Sequence, residues 1–147
     1  MCDDYITYRS GYAYQLSCDY CILTSIVPKE SIDTEFISLD MVGRMVVKKG
    51  YAWDGTSGPV IDTRRNLRAS LVHDALYQLM RLGLLSSEET KGKADYLFYE
   101  LCRTDGVSYF LASIYLRGLK MFGRDSTEPR RARPTEYAPR KVEGDDK

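Results

Sequence analysis

The stretch LVHDALYQL, residues 71–79, holds the chain's single histidine, His73, with Asp74 beside it and Tyr77 four residues on. An imidazole titrates near neutral pH and works as a general base when a second group fixes its tautomer and stabilises its charged form. Asp74 cannot do this through the same helix face, because successive helical residues are turned by about 100°. Tyr77 lies one turn on, on His73's own face. The following stretch KADYLFYEL supplies a better partner, Asp95. The link GLLSSEE is short, so the two helices should run antiparallel as neighbours, with Asp95 facing His73. Asp74 then points to the loop side, where YAWDGTSGP can fold over it. That segment brings Asp54, Gly55, Ser57 and Gly58, with Trp53 as a candidate pocket wall. A carboxylate joined by backbone carbonyls is the oxygen set that calcium prefers, and such an ion would polarise a carbonyl or phosphoryl oxygen. The expected site is therefore catalytic His73, Asp95 and Tyr77, metal-binding Asp74, and binding residues Trp53, Asp54, Gly55, Ser57 and Gly58.

The same residues allow a plainer role. His73 can be a buried residue in a polar network that fastens two helices. Asp74 can pair with Arg81 or Gln78, Asp95 with Lys91, and Tyr77 can be a core residue whose hydroxyl needs one partner. Trp53 can close the end of a sheet against the helices.

The elements that must position these groups are legible in the hydrophobic periodicity. YAYQL alternates, YCILTSIV is a β-branched run ended by Pro28, EFISLD alternates again, and RMVVKKGYAW is a further strand candidate. Strands that follow one another without helices predict antiparallel pairing. After DGTSGP the period changes to helical. A first helix is expected over about 62–81, with Asp62 or Thr63 as N-cap. A second should begin at SSEET, where Ser86 and Glu89 fit a capping box. The third is VSYFLASIYLRGLKMF, after a break at Asp105–Gly106. The glycines at 118 and 123 suit close helix packing. The expected class is α+β: an N-terminal antiparallel sheet (residues 1–53) packed on about three C-terminal helices (62–123), forming one domain. Residues 124–147 contain three of the five prolines and almost no large aliphatic residue. They are expected to be a flexible Arg/Pro-containing tail that is dispensable for folding.

A chain of 147 residues with 44% hydrophobic and 29% charged residues is long enough for a core without disulfides. Lys+Arg and Asp+Glu are both 21. This balance argues against a dedicated nucleic-acid binder, whose affinity rests on phosphate neutralisation. No apolar run spans a bilayer and MCDDYITYRS has no apolar signal core, so a cytoplasmic protein is expected. Cys18 and Cys21 form a C-x-x-C, but Cys2, Cys102 and His73 do not complete a zinc spacing, and free thiols are expected. The twelve tyrosines suit a protein interface.

GTSGPVIDTRRNLRASLVHDALYQL followed by KADYLFYELC resembles an uncharacterised family common in tailed bacteriophages and prophages. The shared features are a G-x-x-G-P-type loop, an acidic residue, H-D-x-x-Y on one helix and A-D on the next. The likeness covers roughly residues 45–120 and implies no established activity. The helix pair is also similar to that of secreted calcium-dependent phospholipases. That likeness implies that His73 activates water, Asp74 holds calcium, and Tyr77 and Asp95 hold the histidine. Where the phospholipases carry paired cysteines this chain has Ala69 and Ser70. The resulting expectation is a small phage-type accessory protein acting as a metal-assisted hydrolase. The alternative is a non-catalytic phage protein that binds a host or virion protein through a tyrosine-rich surface and a basic tail.

Overall fold

The computed structural model describes residues 4–9, 14–55, 62–122 and Thr127. It is α+β, with antiparallel strands first and three helices after them. The strands are β1 (Tyr8–Arg9), β2 (Tyr14–Leu16), β3 (Tyr20–Leu23), β4 (Ile32–Asp33), β5 (Ile37–Leu39), β6 (Arg44–Val47) and β7 (Ala52–Trp53). They form two sheets where the sequence suggested one: β1-β2-β7 and β3-β6-β5-β4. In the larger sheet Tyr20 lies opposite Val47 and Leu39 opposite Met45. In the smaller, Tyr14 pairs with Trp53. The alternation read from the sequence is the burial alternation: Ile37 and Leu39 face inward around Ser38, and Met45 and Val47 around Val46. β1 and β4 are two residues long, too short to leave a period-2 signal.

The helices are α1 (Leu67–Arg81), α2 (Ser87–Thr104) and α3 (Tyr109–Phe122). α1 begins five residues later than its expected start. Neither Asp62 nor Thr63 caps it. Asn66 is the N-cap residue, without a side-chain cap bond to the helix. Its Oδ1 instead accepts the Thr63 amide at 2.9 Å, which holds a turn before the helix. Ser86 does cap α2, accepting the Glu89 amide at 3.4 Å. Between α1 and α2, Gly83 has φ +73°, a left-handed conformation open to glycine at no steric cost. The tight reversal there sets α2 antiparallel against α1, and α3 packs on α2.

Twelve of the fifteen α1 residues are buried. α1 is thus the central element, enclosed nearly all round. The partly open strip along it is Asp74, Gln78 and Arg81, at spacings of four and three. The core joins Leu16, Ile37, Leu39, Met45 and Val47 of the sheets to Leu71, Leu76, Leu79 and Phe98 of the helices. Among the described residues no helix is long and apolar enough to cross a membrane. Cys18, Cys21 and Cys102 are free thiols. Most of the segment expected to be a tail lies outside the described residues. Thr127, on the tail side of the expected boundary at 123, is buried.

Candidate functional site

α1 and α2 meet through their polar residues as well as their apolar ones. The His73 Nε2–Asp95 Oδ1 distance is 2.8 Å. Tyr77 donates its hydroxyl to the same Oδ1 at 2.5 Å. An ionised carboxylate only accepts hydrogen bonds, so His73 carries its proton on Nε2, and Nδ1 is left as the basic nitrogen. The Tyr77 ring lies 4.0 Å from the imidazole, centroid to centroid, and the Phe98 edge meets it at 5.4 Å. His73, Tyr77 and Asp95 are thus together, as the spacing predicts.

The Asp95 carboxylate has a further partner. Lys91, one turn earlier on α2, places Nζ 2.7 Å from Oδ2 and also donates to the Leu119 carbonyl of α3 at 3.2 Å. One carboxylate therefore ties three helices. His73 is 5% exposed, Asp95 0% and Lys91 16%. Burial pushes Asp95 up, but the bonds from His73, Lys91 and Tyr77 outweigh it and hold the carboxyl below its ordinary range. His73 is held below its ordinary value. Burial is the largest cause, and Lys91 and Arg81 add to it against the attraction of Asp95. The seam thus holds a neutral imidazole beside a lysine–carboxylate pair.

Asp74 looks the other way, along the open strip of α1. Its carboxyl is pushed up to about 7, by burial first, then by the charges of Asp54 and Asp62, with Arg81 opposing them. Tyr51, buried beside β7, is raised by burial and by Asp74. Asp54 and Asp62 bracket the glycine loop, so the loop's two ends do come to the Asp74 side. Gly55 has φ +86°, and the Asp62 carboxylate packs where its side chain would stand, so a larger residue there meets both strain and a clash. Asp62 also accepts the Tyr14 hydroxyl at 3.2 Å. Ser57 and Gly58 lie outside the described residues. Trp53 is buried, donates Nε1 to Ser70 Oγ at 2.9 Å, and packs on Tyr8 and Tyr14. This is the sheet-closing position. Among the described residues no three of His, Cys, Asp or Glu are grouped to hold a metal ion on their own.

Three features escape the sequence reading. Tyr51 and Asp62 join the Asp74 environment only through the folding of the smaller sheet. Thr127 lines a hollow with Lys91 and Asp95. Arg68 is buried on α1 and forms a bidentate pair with Asp105 at 2.9 and 2.6 Å, fastening α1 to the α2–α3 turn. A signal for the last exists: Arg68 interrupts an apolar helical run, and a buried arginine requires a planar acceptor.

The family described as "Protein of unknown function (DUF1353)" matches residues 31–118, which include both helices of the seam and both ends of the glycine loop. No curated protein and no solved structure matches the chain.

Proposed function

We propose that this chain, which belongs to the DUF1353 family of proteins of unknown function, is a small phage-type accessory hydrolase whose reacting face is built around Asp74. The observation that carries the reading is the meeting of Asp74, on the open strip of α1, with Asp54 and Asp62 at the two ends of the glycine loop, which together with burial pushes the Asp74 carboxyl up to about 7. A titratable group perturbed by desolvation and by named charges, beside a glycine loop, is a candidate for a functional site. A divalent cation such as calcium would relieve the repulsion among these carboxylates, with Asp74 as the residue that would hold it, and would supply Lewis-acid polarisation of a substrate oxygen. His73, oriented by Asp95 and Tyr77, is proposed as the base; this role requires the α1–α2 seam, in which its side chain is 5% exposed, to open and admit water to Nδ1.

The test is a calcium and zinc titration read by thermal shift, followed by turnover of chromogenic carboxylic and phosphate esters. A cation that binds only the folded state raises the melting temperature by mass action. The rise should be larger at pH 8 than at pH 6 and absent in Asp74→Asn. Turnover should fall by roughly a hundredfold in His73→Asn. No shift at millimolar calcium or micromolar zinc removes the metal from the proposal, and no turnover removes the hydrolase.

A second reading rests on its own observation. The outward face of α3 carries Phe110, 75% exposed, with Ile114 and Met121. Exposed apolar side chains aligned at helical spacing suit a protein-binding surface. On this reading the His73–Asp95–Lys91 network only fastens the helices, and the protein is a non-catalytic partner of a host or virion protein.

A further inference from the structure

A second polar feature lies at the far end of α1, lined by none of the residues around Asp74. The turn before α1 carries Arg64 and Arg65, the end of α2 carries Arg103, and the start of α3 follows Ser108. All four line an open hollow of about 530 Å³ whose apolar side is Leu111 and Tyr115. None of the described residues lining it is acidic. An adjoining hollow shares Arg64 and Arg65 and contains Asp4 and Asp105. Asp105 is already engaged by the bidentate bond from Arg68.

The guanidiniums are placed without being neutralised. Arg103 donates to the Val107 carbonyl at 2.8 Å and Arg65 to the Gly106 carbonyl at 3.4 Å. Both acceptors are backbone oxygens, which fix a side chain but leave its full charge. Arg64 makes no hydrogen bond or ion pair among the described residues. Three cations on one hollow repel one another, and an anion seated among them gains from all three. At the start of α3 the Leu111 amide is capped by Ser108 Oγ at 3.3 Å, and the positive end of the helix dipole adds potential on the same side. Arginine's planar fork matches phosphate oxygens two at a time.

We propose that this hollow binds the phosphate of a small phosphorylated molecule, with Arg64, Arg65 and Arg103 on the anion and Leu111 and Tyr115 against its uncharged body. The volume falls in the range of small-ligand sites, and the chain's zero net charge provides no wider field for a long polyanion.

The experiment is isothermal titration at fixed ionic strength with ADP, pyrophosphate and a short single-stranded oligonucleotide as probes. ADP should bind, with pyrophosphate weaker, because it lacks a body for the apolar side. Arg64→Glu, which removes no bond among the described residues, and Arg103→Gln should each weaken ADP by about tenfold or more. Unchanged melting of Arg64→Glu without ligand establishes that the fold is intact. The proposal is overturned by absence of heat with both ADP and pyrophosphate, by ADP affinity unchanged in Arg64→Glu, or by binding of the oligonucleotide alone.

Discussion

Asp74 and Asp95 are both largely withdrawn from water, yet their carboxyls move in opposite directions. Asp95 is fully buried and held below its ordinary range; Asp74 keeps some exposure and is pushed up to about 7. Desolvation raises both, so it does not explain the difference. The partners do. Asp95 receives His73, Tyr77 and Lys91, a closed set that suits the ionised form. Asp74 feels the opposing charge of Arg81 and the like charges of two more carboxylates, Asp54 and Asp62. The seam between α1 and α2 is an electrostatically finished structure. On the open strip of α1 the carboxyl of Asp74 is instead raised by burial and by neighbouring carboxylates, against the opposing charge of Arg81.

The strongest way to break this contrast is Asp95→Asn. The amide keeps the volume but leaves Lys91 without its counter-charge and presents an NH2 where acceptors are needed. Removing one partner of a buried pair typically destabilises by about 3–5 kcal/mol. The loss should appear in urea unfolding at pH 7. A loss below about 1 kcal/mol would mean that the network contributes little and that the seam is held by Phe98 and its apolar neighbours alone. The pH dependence has a fixed sign. A carboxyl held below its ordinary value contributes stability above the unfolded pKa of about 3.9, and that contribution is lost as pH falls through the folded value.

Asp74→Asn should act in the opposite sense. A carboxyl whose folded pKa is raised destabilises the fold once the unfolded chain has ionised. The penalty is absent below about pH 4, grows up to about pH 7, and then levels off. A tenfold difference in acidity between the folded and unfolded chain is worth about 1.4 kcal/mol, and the residual exposure of Asp74 reduces the total to about 2–3 kcal/mol. The variant should therefore be more stable than the parent at pH 8 and equal to it at pH 3.5, by urea midpoint. A variant less stable than the parent at pH 8 would show that Asp74 is satisfied by Arg81, and the contrast between the two aspartates would fail.

Much of the contrast is legible in the sequence, for physical reasons that differ by residue. The His73–Asp95 meeting follows from helical spacing and a short link, both local quantities. So do the Ser86 cap and the i, i+4 geometry of Lys91 and Asp95. That Asp74 lies off the His73 face follows from the turn per residue alone. What the pattern cannot supply is non-local. Tyr51 and Asp62 reach Asp74 because β2 pairs with β7 and returns the chain beside α1. The split into two sheets rests on hydrogen bonding between strands of two to four residues. The delayed start of α1 rests on one competition, in which Asn66 takes the Thr63 amide. Side chains of this type offer the backbone such alternatives to a helix start.

His73→Asn produces the smallest effect on stability and sharpens the boundary between the two regions. It removes one bond to Asp95 and the ring contacts with Tyr77 and Phe98, while Tyr77 and Lys91 keep the carboxylate satisfied. A hydrogen bond to a charged acceptor is worth about 1.5–3 kcal/mol, and with the carboxylate still satisfied by two partners the loss falls at the low end of that range. The imidazole is held below its ordinary pKa, so its neutral form contributes stability that is fully present above the unfolded value of about 6.5 and is lost as pH falls toward the folded value. The penalty of the substitution should accordingly be largest at pH 8 and smaller at pH 5. If His73 belongs only to the finished seam, this pH-dependent loss is the whole phenotype. If it also serves the open strip as a base, ester turnover falls by roughly a hundredfold at pH 8 under conditions where urea unfolding shows the variant to be folded. Intact turnover together with the expected stability loss would confine His73 to fastening the helices and leave Asp74 to act without it.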